Sequence, residues 1–298
     1  MGIPRTVKRL LMPAGLVLGS FEQHEPEPAR MPEPLWAEPD ETLPTIGVVM
    51  PTMNQATFIA RSIDSVLDQD YPRLTMTVQD GGSTDGTVDI VRAYAESGRL
   101  TVESGPDDGQ SDAINRGMAR IDTDIVAWLN SDDLSLPGAL VTVGRYFRDH
   151  PDVDVVYGHR IVLDDRAREV GRWVLPRHSR GAYQWRCYIT QETMFWRRSL
   201  HERIGGIDDS FQFAMDWDLV CRMADAGARF ERLPRFLGGF TTHAAQKSLA
   251  WRESIGEPEF DRIRRRTLPT RRARVTAMVG GARYLVASVP MYWRHRHD

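Results

Sequence analysis

Ile46-Gly47-Val48-Val49-Met50-Pro51-Thr52-Met53-Asn54 reads as a short apolar run of strand length that stops at a proline and hands over to small and polar residues. The segment that follows spaces Phe58, Ile59, Ser62, Ile63, Val66 and Leu67 along one helical face, so the pair predicts a strand and then a helix. The rhythm repeats: strands are expected at 74–78, 100–103 and 125–129, and helices at 84–96 and 111–121. Alternation of this kind predicts an α/β fold with a mainly parallel, doubly wound sheet and right-handed crossovers. Such a sheet binds ligands at the carboxyl ends of its strands, which is where Thr52, Asp80 and Asn130 fall.

Beyond Pro137 the pattern loosens. A helix is expected near 139–147, a strand near 153–157, a polar hairpin around 164–168 and a second hairpin-like piece at 170–175. Trp217, Leu219, Val220, Met223 and Ala224 have helical period up to Gly227, and 229–233 reads as a closing strand. This mixed half is expected to shape an acceptor cavity.

The 298 residues carry a formal net charge of −3 and 41% apolar residues, which argues against a general nucleic-acid binder and against a disordered chain. The two cysteines, Cys187 and Cys221, lack zinc spacing. Cys221 sits in an apolar helical pattern, as a buried small hydrophobe would, and a reducing cytoplasm fits. Residues 1–44, rich in glutamate and proline from 22 onward, are expected to be a disordered or linker tail. The domain is expected over 45–250. Residues 251–298 are basic first and then apolar, a partly amphipathic helical extension suited to peripheral contact with the inner face of a membrane. A solvated charge run with a helix packed on the domain explains the same residues.

The strand ends carry the chemistry. Asp80 precedes Gly81-Gly82-Ser83-Thr84-Asp85-Gly86-Thr87, where a carboxylate can accept from a base N–H or a ribose hydroxyl, while Ser83 or Thr84 caps the next helix. Asn130-Ser131-Asp132-Asp133 places adjacent carboxylates at the end of an apolar run, an arrangement that calls for a cation, Mg²⁺ or Mn²⁺. Asp216 and Asp218 flank Trp217 near a helix start. Two positions apart they diverge by about 200°, so one is free to face a pocket as a base while the other caps or pairs with Arg222. His243 and Lys247 lie in a polar loop.

Taken together these stretches resemble the inverting family 2 glycosyltransferases of GT-A fold. The resemblance covers about residues 46–248 and runs through Ser65-Val66-Leu67-Asp68-Gln69-Asp70-Tyr71-Pro72, Asp112-Ala113-Ile114-Asn115-Arg116-Gly117, Trp128-Leu129-Asn130-Ser131-Asp132-Asp133 and Gly205-Gly206-Ile207-Asp208. It implies a Rossmann-like nucleotide-binding half joined to the mixed half, and transfer of a sugar from a nucleoside diphosphate sugar to a hydroxyl of a saccharide or lipid-linked saccharide, with inversion. By position, Pro51, Thr52 and Asn54 match the nucleoside loop, Asp80 the carboxylate on the base, and Asp112 a site near the nucleoside. Asp132, with Asn130 and Ser131, stands where the family carries its metal motif, His243 matches a metal ligand, Lys247 a phosphate contact and Asp216 the catalytic base. Three departures are Met53 for an aromatic, Asn130 for an aspartate and Met215 for an acid.

The implied mechanism is a single displacement in which Asp216 takes the acceptor proton and a metal with Lys247 meets the charge on the leaving diphosphate. Trp185, Trp196 and Trp217 offer sugar-stacking faces or core packing, and Gln191 and Glu192 offer hydrogen bonds to hydroxyls. UDP suits Asp80, with dTDP presenting the same edge and GDP left open. Envelope polysaccharide synthesis is the expected setting. Two other readings are a catalytically silent nucleotide-sugar-binding scaffold on the same fold, and a nicotinamide-dependent oxidoreductase. The latter lacks a Gly-x-Gly-x-x-Gly turn after the first strand.

Overall fold

The structure is a computed structural model and describes residues 21–35, 40, 42–175, 177–178, 183–184, 187–244, 246 and 251–280. Its strands are β1 (Glu27–Pro28), β2 (Ile46–Thr52), β3 (Leu74–Asp80), β4 (Thr101–Ser104), β5 (Ile125–Trp128), β6 (Leu134–Ser135), β7 (Val155–Leu163), β8 (Arg168–Trp173), β9 (Phe195–Arg197) and β10 (Phe230–Thr241). The helices used below are α1 (Ile59–Leu67), α2 (Thr87–Glu96), α3 (Gln110–Met118), α4 (Ala139–Asp149), α5 (Arg198–Arg203), α6 (Met215–Asp225) and α7 (Glu257–Thr267).

β4, β3, β2 and β5 lie side by side and parallel, in the order 4-3-2-5. Every residue of β2 is buried, because helices cover both faces of this half, and a parallel strand so covered reads as an unbroken apolar run. Alternate side chains go to opposite layers: Val49 joins Ile114, Met118 and Trp128, whereas Val48 and Met50 join Ile63, Val66 and Leu140. Where β9 inserts antiparallel between β5 and β7, the sheet becomes mixed, with β8 antiparallel and β10 parallel to β7. The sheet is therefore mostly parallel at its centre, as the alternating pattern predicts.

The mixed half departs from its sequence reading in two places. Residues 170–173 belong to the return strand β8 of the hairpin that turns at Asp164, rather than to a second hairpin, and 174–175 follow its end. The closing strand runs on to Thr241, because Gly238 and Gly239 pair with Arg160 and Ile161 of β7 after register shifts that conceal the two-residue period.

The described residues of both terminal segments also differ from simple appendages. Within the 1–44 segment expected to be a linker, β1 pairs with β8, and Gln23 exchanges hydrogen bonds with the backbone of Arg172 at 3.1 and 3.2 Å. Phe21 stacks on Trp173 and Phe240, with the Arg160 guanidinium 3.8 Å from the Trp173 ring centre. Apolar and cation–π contacts thus hold a stretch whose composition alone argues for solvation. At the other end, α7 packs on α6 through the fully buried Ile263 and through Phe260, which meets Phe213 and Trp217 edge-on. Among the described residues no helix is long and apolar enough to cross a membrane.

Candidate active site

The loops at the carboxyl ends of β2 and β3 are laced together by side chains. Asn54, in the left-handed region at φ 53°, accepts from the Thr84 N–H at 2.9 Å and donates its own N–H to Ser83 Oγ at 2.8 Å. Asp85 accepts from the Ala56 and Thr87 N–H groups, each at 3.0 Å. Asp80 is fully buried, and its carboxylate accepts from the Gly82 and Ser83 N–H groups at 3.0 Å, from Ser104 Oγ at 2.7 Å and from Ser83 Oγ. Its oxygens shape the turn from behind. Gly81, not Asp80, forms the cleft wall. The N–H that opens α2 is met by Asp85 rather than by Ser83 or Thr84.

A cleft of about 590 Å³ opens at this edge of the sheet, with Pro51, Thr52, Gly81, Asn130, Ser131 and Asp132 among its walls. Asp107, Asp108, Gln110 and Ser111 continue it at the start of α3, and Phe211, Gln212, Gln246 and Trp251 close the far side. Asp112 and Asn54 stand outside this wall: Asp112 accepts from the Asp108 N–H at 3.0 Å and pairs with Arg116 at 2.7 Å. Three of the lining residues are aspartates, and no lysine or arginine is among them in the described residues. Thr52 Oγ1 is buried without a hydrogen-bond partner, an unmet polar group at the point where a ligand would sit.

At the end of β5, Asn130 Oδ1 accepts from Gln110 Nε2 at 2.7 Å. Asp132 Oδ2 lies 3.0 Å from His243 Nε2, and the His243 ring rests against Phe58 with ring centres 4.6 Å apart. The next residue does something else. Asp133 is buried, accepts from the Thr241 N–H at 3.0 Å and from Gln191 Nε2 at 2.9 Å, and has its pKa pushed well up by burial and then by the charges of Asp132 and Glu192. A carboxylate and an imidazole converging at the cleft edge, with an amide oxygen nearby, make a donor set that fits a divalent cation of the Mn²⁺ type. Lys247 lies outside the described residues.

Beside the cleft stand the 187–193 stretch and α6. Asp216 stands in the first turn of α6, accepts from the Trp217 N–H at 2.7 Å and faces Cys187 Sγ at 3.6 Å. Burial raises its pKa to about 6, and the nearby charge of Glu192 adds to the shift. Asp218, fully buried, takes the other role expected of the pair: it binds Arg222 at 2.6 Å and Arg266 at 2.6 Å. Glu192 is likewise buried and pairs with Arg160 at 3.4 Å, while Gln191 Oε1 has no partner. Asp216 and Glu192 stand beside the described cleft rather than in its wall.

One expectation is corrected outright. Trp217 is 1% exposed, donates its Nε1–H to the Tyr183 carbonyl at 2.6 Å and packs on Phe260, so it presents no face to a sugar. Trp196 is core too, edge-on to Trp128, and Trp185 lies outside the described residues. Sequence reasoning missed Gln110 and the contact of Cys187, and it read Asp133 as a second carboxylate for the cation where the structure ties it to Thr241 and Gln191. The Trp217 error had a readable signal, since Trp217, Val220, Cys221 and Ala224 share one helical stripe.

A sequence model described as Glycosyl transferase family 2 matches residues 47–207. A PGL/p-HBAD biosynthesis glycosyltransferase of Mycobacterium tuberculosis is 30% identical over 182 residues, covering 60% of this chain and 69% of that one. Chondroitin synthase of Pasteurella multocida is 24% identical over 209 residues, 70% of this chain but only 22% of the synthase. Among solved structures, S. aureus TarS 1-349 in complex with UDP-GlcNAc aligns with TM-score 0.62 at 19% identity, over 84% of this chain and 73% of that one. Against a longer TarS structure the match spans 43% of that chain. Mannosyltransferase PcManGT from Pyrobaculum calidifontis, in complex with GDP-Man and Mn²⁺, aligns with TM-score 0.53 at 20% identity over 97% of this chain and 86% of that one. The architecture is of GT-A type, which sets the nicotinamide-dependent reading aside. With an α/β cleft of this form and a family match across 47–207, the chain belongs to glycosyl transferase family 2 and is a glycosyltransferase.

Proposed function

We propose that the chain is a metal-dependent inverting glycosyltransferase that moves a sugar from a UDP-sugar to a hydroxyl of a saccharide or lipid-linked saccharide, with Asp216 as general base. The observation that carries this reading is the charge of the cleft: three aspartates and no basic side chain line it among the described residues. A diphosphate entering such a cleft would be repelled unless a divalent cation came with it. Asp132 and His243, with Asn130 at the edge, would hold that cation, and when bound it would offset the negative charge on the diphosphate. UDP is the nucleotide proposed, although GDP-Man in PcManGT keeps guanine in the screen.

The remaining work falls to this chain's own residues. Pro51, Thr52 and Gly81 form the floor for the nucleoside, while Asp80 holds the Gly81 turn in shape, an indirect part in place of a direct contact. Asp216, ionised above its raised pKa of about 6, accepts the proton of the acceptor hydroxyl as that oxygen attacks the anomeric carbon. Burial makes it a stronger base than a solvated carboxylate. Gln191, with its free Oε1, orients the acceptor, and Glu192 contributes through its charge.

The described part of the C-terminal extension favours one further element of this reading, peripheral membrane contact. In the helix at 271–280, Val275, Met278 and Val279 are exposed on the face that also carries Arg271, Arg272 and Arg274. Arginines at one end and apolar side chains at the other suit an anionic bilayer surface.

Release of nucleoside diphosphate from a panel of UDP-, dTDP- and GDP-sugars, with Mn²⁺ or with chelator, tests the reading. Turnover that needs the metal and falls at least a hundredfold in Asp216→Asn is the expected result. Full turnover in Asp216→Asn, or equal turnover in chelator, would overturn it.

A further inference from the structure

Glu259 makes a set of contacts that nothing in the sugar-transfer reading assigns. Its carboxylate reaches out of α7 and accepts from the backbone N–H groups of Gln212 at 2.7 Å, Phe213 at 2.9 Å and Ala214 at 2.7 Å. Those residues immediately precede α6, and Ala214, at its N-cap position, makes no side-chain cap. The Ala214 N–H is one of those at a helix start that have no partner within the helix, so a residue from another helix supplies one there, while the Gln212 and Phe213 N–H groups tie down the loop that leads in.

Phe211, one residue before these three, is held as well. Ser111 Oγ donates to the Phe211 carbonyl at 2.6 Å, tying it to the start of α3. Phe211 and Gln212 are cleft walls, and Asp216 follows two residues after Ala214. The loop between Ser111 and Glu259 thus joins the donor cleft to the base. Around this contact α7 grips α6: Phe260 lies against Phe213 and Trp217, Arg266 binds Asp218, and the Arg264 guanidinium sits 5.6 Å from the Trp217 ring centre.

We propose that Glu259 is the positioning residue for Asp216: by capping α6 across the interface it fixes where the base stands and where the 211–212 wall lies. This rests on Asp216 being the base. The α7 helix is then part of the working enzyme although it lies beyond the region matched by the family model. A charge effect accompanies the geometry. A carboxylate at a helix N-terminus offsets the positive end of the helix dipole, which would otherwise favour an ionised Asp216 and make it a weaker base. The other ionisable groups that act on Asp216 are Cys187 and Glu192 from the 187–193 stretch, whereas Arg222 and Arg266 bind Asp218 and Arg264 lies over Trp217.

The test uses the full chain with Glu259→Gln, which keeps one acceptor oxygen and loses the charge, Glu259→Ala, which loses both, and Asp261→Ala as an exposed control on the same helix. The expected result is a fall in kcat of at least tenfold in Glu259→Ala, a smaller fall in Glu259→Gln, and in both a movement of the lower-pH limb of kcat by about half a unit toward acid. Asp261→Ala keeps the wild-type profile. A folded Glu259→Ala enzyme with unchanged kcat and pH limb would overturn the proposal. Should that variant not fold, amide hydrogen exchange of the wild type decides: slow exchange at Gln212, Phe213 and Ala214 supports the cap, and exchange at the rate of open loops overturns it. Asp216→Asn run in parallel separates the two ideas, because full activity there refutes the base itself rather than its positioning.

Discussion

His243 Nε2 stands 3.0 Å from Asp132 Oδ2, a contact that joins the loop after β10 to the loop after β5 across 111 positions of chain. Neither side chain is held there by its neighbours in sequence. Asp132 is delivered by the end of β5, and His243 by β10, whose Thr241 N–H is itself anchored on Asp133 at 3.0 Å. Asp133, buried one residue away, therefore acts as the peg on which the two loops meet.

If these two side chains hold the cation, Asp132→Ala and His243→Ala each raise the Mn²⁺ concentration needed for half-maximal turnover by roughly tenfold or more. Titration of activity with Mn²⁺ reads this directly. An unchanged titration in both variants would remove the pair from the metal site.

The pH dependence of kcat follows from Asp216. Its pKa is raised to about 6 and its proton-free form does the work, so kcat rises with pH through about 6 and levels off above about 7. Stability runs the other way: because the folded pKa is the higher one, the contribution of Asp216 is complete below the ordinary carboxylate range and is lost as pH rises through about 6. A kcat profile flat between pH 5 and 7 would contradict the assignment.

Trp217 separates packing from recognition. Trp217→Ala should cost about 3–5 kcal/mol in denaturant unfolding, as large-to-small changes in a core do. Trp217→Phe, which loses the bond to the Tyr183 carbonyl but keeps most of the volume, should leave the acceptor KM within about twofold. A sugar-stacking tryptophan would behave in the opposite way, with a large KM change and little loss of stability.

Arg160 and Glu192 form a buried pair at 3.4 Å, with the guanidinium enclosed by Trp173, Phe240 and Phe21. Arg160→Met leaves the Glu192 charge buried and alone, at a cost of roughly 3–5 kcal/mol, and adding Glu192→Gln should recover much of it. Urea midpoints of the single and double variants measure the coupling. Equal midpoints for Arg160→Met and the double variant would overturn the expected recovery.

The parallel half of the sheet was legible in the sequence because its signal is local. A fully covered strand needs a run of apolar residues, a helix laid on it needs a 3.6-residue period, and both patterns stand out at Ile46–Thr52 and Ile59–Leu67. The mixed half was less legible. β10 carries two glycines and register shifts, and its length depends on pairing with β7 rather than on its own residues. The residues at 21–35 failed for the same reason in reverse: a polar, proline-rich stretch finds its place only because Trp173, Phe240 and β8 are there to receive it.

The amino-acid order alone determined the fold class and the strand ends at which a cleft opens, since both depend on residue type and spacing along one stretch of chain, while the resemblance to family 2 singled out Asp132, Asp216 and His243 as candidates. Only the tertiary structure decided what each polar group does. Asp80 turns inward to hold a loop, Asn54 latches one loop to the next, Trp217 faces the core, Asp218 binds arginines and Glu259 caps a helix that is not its own. The physical reason is that a hydrogen bond or ion pair acts over about 3 Å of space whatever the separation in sequence, so a side chain's role is set by the neighbours that folding brings to it.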